Sequence, residues 1–355
     1  MQTVWRRTRL IWFGGRVDFS YSLYRLGRIC LLASVTMAGL LLVTFVIGRI
    51  MPIDPVLAIV GDHASEETYL AARNKMGLDQ PLYTQLGLYF GQVLRGDLGI
   101  SSLTQNPVSE DLFNYFPATF ELATLATLLG VLFGVPMGVL AAIKRNRLTD
   151  HVIRVVSLLG YSMPTFWLGM MGLMILYAQL GWVGGPGRLD IFYHGLVPSV
   201  TGMILVDSLI AGDAQVFFNA CSHIVLPASI LGYFSTAYIT RMTRAFMIEQ
   251  LGQDYILAGR SRGISERQLI WKHALGNALV PLITVIGLSY GSLLEGSVLT
   301  ETVFAWPGLG LYLTNALLSA DMNAVLGATM VIGSIFLFLN LLTDILYSKI
   351  DPRIS

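Results

Sequence analysis

Six long runs of apolar residues, nearly free of charge, alternate along this chain with polar stretches. They are Ile29–Gly48, Leu122–Ile143, Val155 to about Trp182, Ile224–Thr240, Ala274–Leu294 and Ala324–Thr343. A hydrocarbon core about 30 Å thick is crossed by about 20 apolar residues of helix, so the pattern predicts six membrane spans. The third run is longer than a membrane requires and contains Pro164. A tilted or kinked span accommodates the excess, because neighbouring helices satisfy the carbonyl that proline leaves free. Pro164 is therefore expected to act in a hinge or in packing.

Two polar stretches between the runs are too long to be hairpins. After the first run Pro52 and Pro55 stop the helix, since proline cannot continue it and restrains its predecessor. From there to Phe116 the chain carries Asp62, Glu66, Glu67, Asp79, Asp97, Glu110 and Asp111, with helical periodicity around Leu82 to Leu94. It is too polar to cross and reads as a small subdomain beside the bilayer. The second stretch, Val183 to Ser222, is rich in glycine and carries Asp190, His194, Asp207 and Asp213; its apolar piece, Leu196 to Val206, is interrupted by Pro198. That piece is too short to span.

Charge gives the layout a direction. Lys144, Arg145 and Arg147 follow the second run, Arg241 and Arg244 the fourth, and Lys349 and Arg353 the sixth, while Arg6, Arg7, Arg9, Arg16, Arg25 and Arg28 precede the first. Roughly 18 of the 23 Lys and Arg fall on one side if the runs alternate in direction, which marks that side as cytoplasmic. Both termini are then cytoplasmic. The expected divisions are a cytoplasmic extension 1–28, a first span 29–50, an extracytoplasmic subdomain 51–116, a transmembrane domain 117–348 and a tail 349–355. Within the domain the spans are expected at about 120–143, 153–182, 223–243, 272–295 and 323–346. No small-residue cleavage site follows the first run, so a removable signal peptide is not expected.

Composition narrows the function classes. The chain is 54% hydrophobic and 13% charged, against about a quarter charged in soluble domains; it is an all-α membrane protein. A net charge of +1 without basic tracts interleaved with aromatics gives no nucleic-acid surface. Cys30 and Cys221 are too few for a disulfide framework. His63, His151, His194, His223 and His273 never stand at the i, i+4 spacing of a metal-binding helix, and no GxxxxGK[ST] loop occurs. No catalytic residue, metal site or ATP hydrolysis is therefore expected of this chain. Glu121, Glu295 and Asp344 are expected at span ends, leaving the span cores uncharged. A proton or sodium relay would need mid-span carboxylates, so an external energy source is the better account.

One basic stretch between two runs stands apart: DYILAGRSRGISERQLIWKHALGNALVP, Asp254 to Pro281. Ile248 to Arg260 reads as a short helix, Gly263 supplies a bend by its access to positive φ, and Ser265 with Gln268 has the spacing of a capping box that starts a new helix. The pattern Asp254, Tyr255, Ala258, Gly259, Arg260, Ser261, Arg262, Gly263, then His273, Asn277 and Pro281, resembles the coupling loop of ABC importer permeases, most closely the B-type permeases of dipeptide and oligopeptide importers. GLDQP (Gly77 to Pro81), RGDLGIS (Arg95 to Ser101) and GYSMPTFWLG (Gly160 to Gly169) resemble the same family and occur in its order. The position ahead of the small pair, acidic or polar in the family, is Leu257 here. It alters one polar contact and leaves the apolar docking face.

The resemblance implies a type I ABC importer permease fold with six transmembrane helices and an extracytoplasmic subdomain between the first two. It implies a place in a bacterial inner membrane beside a second homologous permease, two cytoplasmic ATPase subunits and an extracytoplasmic substrate-binding protein. ATP and Mg would be bound by the ATPases, and this chain would carry no cofactor. Asp254, Tyr255, Ala258, Gly259, Arg260, Arg262, Gly263, Ser265, His273, Asn277 and Pro281 would form the ATPase-coupling loop. Peptides are the implied cargo; nickel chelates, glutathione or another small solute are alternatives within the family, and a stand-alone carrier or channel is the alternative outside it.

Overall fold

The computed structural model describes residues 19–50, 55–61, 64–75 and 77–350, and these are nearly all helical. The N-terminal extension as far as residue 18, Asp62, His63 and the tail from 351 lie outside the described residues, as do the side chains of Cys30, Glu295 and Asp344.

Two long antiparallel helices, Val108–Ile143 and Ala214–Leu251, form the central pair. Their contact is set by glycine at every fourth position. Gly130, Gly134 and Gly138 form one stripe, and a Cβ on Gly130 or Gly138 would collide with Ser235 or Thr243, while one on Gly134 would reach 3.0 Å from Ile239. Small residues at this spacing let helix backbones approach, which maximises van der Waals contact where no hydrophobic drive separates helix from lipid. Glu266–Leu294 and Met322–Thr343 pack around this pair, with Gly287 against Thr343 in the same manner. The largest apolar cluster joins Leu122, Ala126, Leu226, Leu231, Phe304 and Trp306.

Several boundaries differ from those the sequence predicts. The second span is part of a helix beginning at Val108, within the expected subdomain; Pro107 starts it, and Pro117 and Pro136 lie inside it. The helix that holds the fourth likewise runs past it at both ends, Ala214 to Leu251; at its start the Asp213 side chain accepts from the Gln215 and Val216 N–H groups and caps it well before His223. The stretch Val183–Ser222 therefore holds the short helix Ile204–Ala211 and the first turns of a core helix.

The expected single third span is two helices, Leu148–Ser162 and Thr165–Gln179, meeting at 94°. Met163 is extended (φ −82°, ψ 133°) and Pro164 precedes the second helix. Proline disfavours helical geometry in the residue before it; here, unlike at Pro117 and Pro136, that residue is extended, so Pro164 is a corner between helices and not a kink within one. Four described helices are long and apolar enough to cross a membrane, five if the bent pair counts as one. The first helix, Phe19–Ile50, contains a shorter described apolar stretch, Leu31–Ile47.

Candidate coupling loop and the polar clusters of the bundle

The 214–251 helix ends at Gly252, Gln253 is extended, and a separate eight-residue helix, Asp254–Ser261, begins. The expected continuous helix from Ile248 to Arg260 is thus broken at Gly252 and Gln253. The short helix closes on Gly263 at φ +77°, with the Gly263 N–H donating to Arg260 O at 3.0 Å and the Ile264 N–H to Gly259 O at 3.1 Å. Glycine ends helices this way because αL geometry carries no Cβ penalty. Ser265 then caps the next helix, its Oγ accepting from the Gln268 N–H at 3.4 Å. No reciprocal bond from the Gln268 side chain accompanies it, so the expected capping box is present as its serine half.

The short helix has two faces. Ile256 and Gly259 point into the bundle, and a Cβ on Gly259 would come within 2.5 Å of Leu269 Cδ2. Ile256 and Leu269, each 1% exposed, join Val139 and Ala142 from the 108–143 helix, Met247 from the 214–251 helix, and Ala274 and Ala278 in one cluster. Asp254, Leu257, Ala258 and Ser261, at i, i+3, i+4 and i+7, are exposed, and Leu257 is 65% exposed. Arg262 and Gly263 extend this exposed surface. Tyr255 folds back, its hydroxyl donating to Gln250 Oε1 at 3.0 Å, and Arg260 pairs with Glu266 at 2.6 Å on the surface.

His273, Asn277 and Pro281 do not join this face. They follow one another at four-residue spacing along the Glu266–Leu294 helix, the first two exposed and Pro281 half-buried. The loop proposed from sequence is therefore a compact hairpin, residues 254–265, with a separate stripe rising from it.

Next to the hairpin, Asp150 is fully buried and grips Arg244 through two bonds, Nε to Oδ1 at 2.7 Å and Nη2 to Oδ2 at 2.8 Å. Asn146 N–H adds a third at 2.9 Å. A bidentate charge-assisted pair holds both position and orientation, so it latches the 148–162 helix to the 214–251 helix.

The opposite end of the bundle has carboxylates that periodicity did not single out. Glu121, expected at a span end, lies well inside the 108–143 helix and is buried. It pairs with Arg188 Nη2 at 2.5 Å and accepts the Leu205 N–H at 2.8 Å; Arg188 also donates to Gly202 O at 2.9 Å and lies over Trp306, 5.6 Å from the ring centre. Arg188 ends the run GGPGR, Gly184 to Arg188, which packs against the start of the fourth span. Gly184 N–H donates to Ser222 O, a Cβ there would strike the His223 ring, and His223 Nδ1 lies 2.9 Å from Gly185 O.

Glu301, in the short helix Val298–Val303, is completely buried. It accepts from Thr119 Oγ1 (2.8 Å), Ser297 Oγ (2.7 Å), Gly310 N (2.7 Å) and Leu311 N (3.2 Å). Burial pushes its carboxyl above the ordinary range while these four donors pull it back. The glycines of the turn WPGLG, Trp306 to Gly310, make the approach feasible, since a Cβ on Gly308 would overlap Thr119 and one on Gly310 would reach 2.6 Å from Val298 Cα. Trp306, in the same turn, is fully buried with Nε1 donating to Ala118 O at 2.9 Å.

Residues 134–355 match the family of binding-protein-dependent transport system inner membrane components, and residues 23–123 match the N-terminal family that goes with it. The chain belongs to that family. Among relatives of this permease, a probable D,D-dipeptide transport system permease protein, DdpB, of Escherichia coli (strain K12) is 44% identical over 323 residues, 90% of this chain and 94% of its own. A di/tripeptide transport system permease protein, DppB, of Pseudomonas aeruginosa (strain UCBPP-PA14) is 41% identical over 320 residues, covering 90% and 95%. The dipeptide transport system permease protein DppB of Escherichia coli (strain K12) is 40% identical over 321 residues, again covering 90% and 95%.

The permease is thus a membrane-embedded subunit of an ABC importer. It is a transport component and not an enzyme; the ATPase of such a system is a separate subunit, and a substrate-binding protein is its other partner class. Among the described residues no cluster of three or more His, Cys, Asp or Glu could hold a metal ion.

Proposed function

We propose that this permease forms half of a peptide translocation pathway in a bacterial inner membrane, and that the hairpin 254–265 is where an ATPase subunit grips it. The observation that carries the reading is the division of the Asp254–Ser261 helix. One face is locked through Ile256 and Gly259 into the ends of both central helices, and the other exposes Leu257, Ala258 and Ser261 with cations beside them. A surface that is free on one side and rigidly joined to the core on the other transmits a push.

In this reading a second homologous permease completes the pathway, and two cytoplasmic ATPase subunits bind ATP and Mg. ATP-driven closure of those subunits shifts the hairpin, and the bundle alternates between outward-open and inward-open states, the differential contacts coming from the ATP-bound motor. Both termini are cytoplasmic, and segments 52–116 and 183–222 receive the loaded binding protein. Peptide cargo is supported by relatives whose names specify dipeptides or di/tripeptides.

The test is to replace Ala258 and Gly259 together by bulky residues. Transport-coupled ATPase activity is expected to fall at least about tenfold, a loss of roughly 1.4 kcal/mol or more in coupling, while the protein stays in the membrane. Unchanged coupling would sink the docking assignment. A cysteine at Ser265 is expected to react with an impermeant thiol reagent from the cytoplasm only; reaction from outside would reverse the topology.

A further inference from the structure

We propose that a cleft between the 148–162 and 214–251 helices binds the phosphate of an anionic phospholipid. The cleft, about 420 Å³, is lined by Arg154, Ser157, Tyr161, Thr240, Arg241 and Arg244 among apolar residues. Three guanidinium groups face it, and the one carboxylate beside them, Asp150, is held by Arg244. Arg154 and Arg241 have no ion pair within 4 Å among the described residues. Arg241 lies over two aromatic rings, 5.1 Å from the centre of Tyr161 and 5.6 Å from that of Tyr238. Stacking fixes the guanidinium plane and leaves its N–H edge for an acceptor.

Two hydroxyls supply an independent sign. Serine and threonine inside helices ordinarily donate back to the carbonyl one turn earlier, as Thr127, Thr329 and Thr343 do here. Ser157 Oγ and Thr240 Oγ1, both on residues that line the cleft, are buried without any partner, as are the hydroxyls of Thr243, Thr284 and Thr300 away from it. Donors left free beside unpaired arginines call for a ligand rich in oxygen acceptors, and a phosphodiester has that chemistry.

The wall decides which phosphate. Val155 and Leu158 border the cleft and are 56% and 64% exposed on a membrane helix, so the ligand meets cations at one end and an acyl-chain surface at the other. Lys144, Arg145 and Arg147 immediately precede this helix, which suits a leaflet carrying anionic headgroups. A free phosphate would leave the apolar wall unfilled, and a peptide carboxylate would satisfy one arginine and miss the lipid-facing rim.

The probe is phosphatidylglycerol against phosphatidylcholine, mixed in equal amounts with the full-length chain purified together with its partner subunits. Bound lipid is read by native mass spectrometry. The native complex is expected to retain phosphatidylglycerol selectively. Arg154→Gln and Arg241→Gln should each lower that preference about 5-fold, and the two together about 30-fold, given roughly one unit of lipid attraction per cation. Arg241→Lys, which keeps the charge and loses the stacked plane, should fall between the native complex and Arg241→Gln, and thereby separates binding from misfolding.

A photoreactive residue at Ser157 should label lipid. Labelling of a protein subunit or of peptide instead, an unchanged preference in the double variant, or displacement by millimolar inorganic phosphate would each overturn the proposal. The measurement is made in detergent and is blind to cargo and to orientation. Failure of the coupling or topology assignments would leave it unaffected.

Discussion

Glu301 sits wholly buried with four donors around it, whereas at the other end of the bundle Arg260 and Glu266 pair in the open, 49% and 59% exposed. Both arrangements use charge, with opposite physical results. Inside, a carboxylate without partners would be left desolvated, so Glu301 gathers donors from its own turn, Ser297, Gly310 and Leu311, and one from the distant Thr119. Outside, water screens the pair and the charges remain available to another surface. The first arrangement holds the bundle's own elements together; the second is free to be used by something else.

The sharpest way to break this contrast is Glu121→Ala. It strands the Arg188 guanidinium, 16% exposed, without its carboxylate, and removal of one partner from a buried pair costs about 3–5 kcal/mol. Thermal unfolding of the purified complex should show the loss, and a change under about 1 kcal/mol would place this pair in the surface class. Next in size is Glu301→Gln. The amide keeps the shape, but with its oxygen turned to the Gly310 and Leu311 N–H groups its NH2 faces the Thr119 and Ser297 hydroxyls, both donors to the native carboxylate, for an expected loss of about 1–3 kcal/mol. Smallest is Arg260→Gln, which should leave the unfolding midpoint where it is while lowering ATPase coupling. A large shift of that midpoint would mean that the exposed pair is structural after all.

Local backbone chemistry in the hairpin was readable from sequence. Gly263 adopts the positive φ expected of it and Ser265 caps the helix that follows, because both effects depend on residues within four positions. The break at Gly252 and Gln253 was missed, since nothing short of tertiary contact distinguishes it from a continuous helix. Pro164 was legible as an interruption; the size of the bend was not, because it depends on what the second half-helix packs against. Glu121 and Arg188 stand 67 residues apart, and no periodicity links them. Their pairing, like the burial of Trp306, was hidden because hydropathy sees the neighbours in sequence and not those in space. The stripe Gly130, Gly134, Gly138 was printed at an even spacing, and its meaning needed only the question of what lies opposite.

That stripe has a mechanical corollary. Backbones seated against one another through three glycines cannot slide without Ser235, Ile239 and Thr243 riding over them, so the central pair responds to a lateral force as one stiff beam. At about 1.5 Å per residue the 38-residue member is roughly 57 Å long. Pivoting such a beam by about 5° about one end carries the other through roughly 5 Å, close to the width of an extended backbone, so a small displacement at its foot is magnified at its far tip.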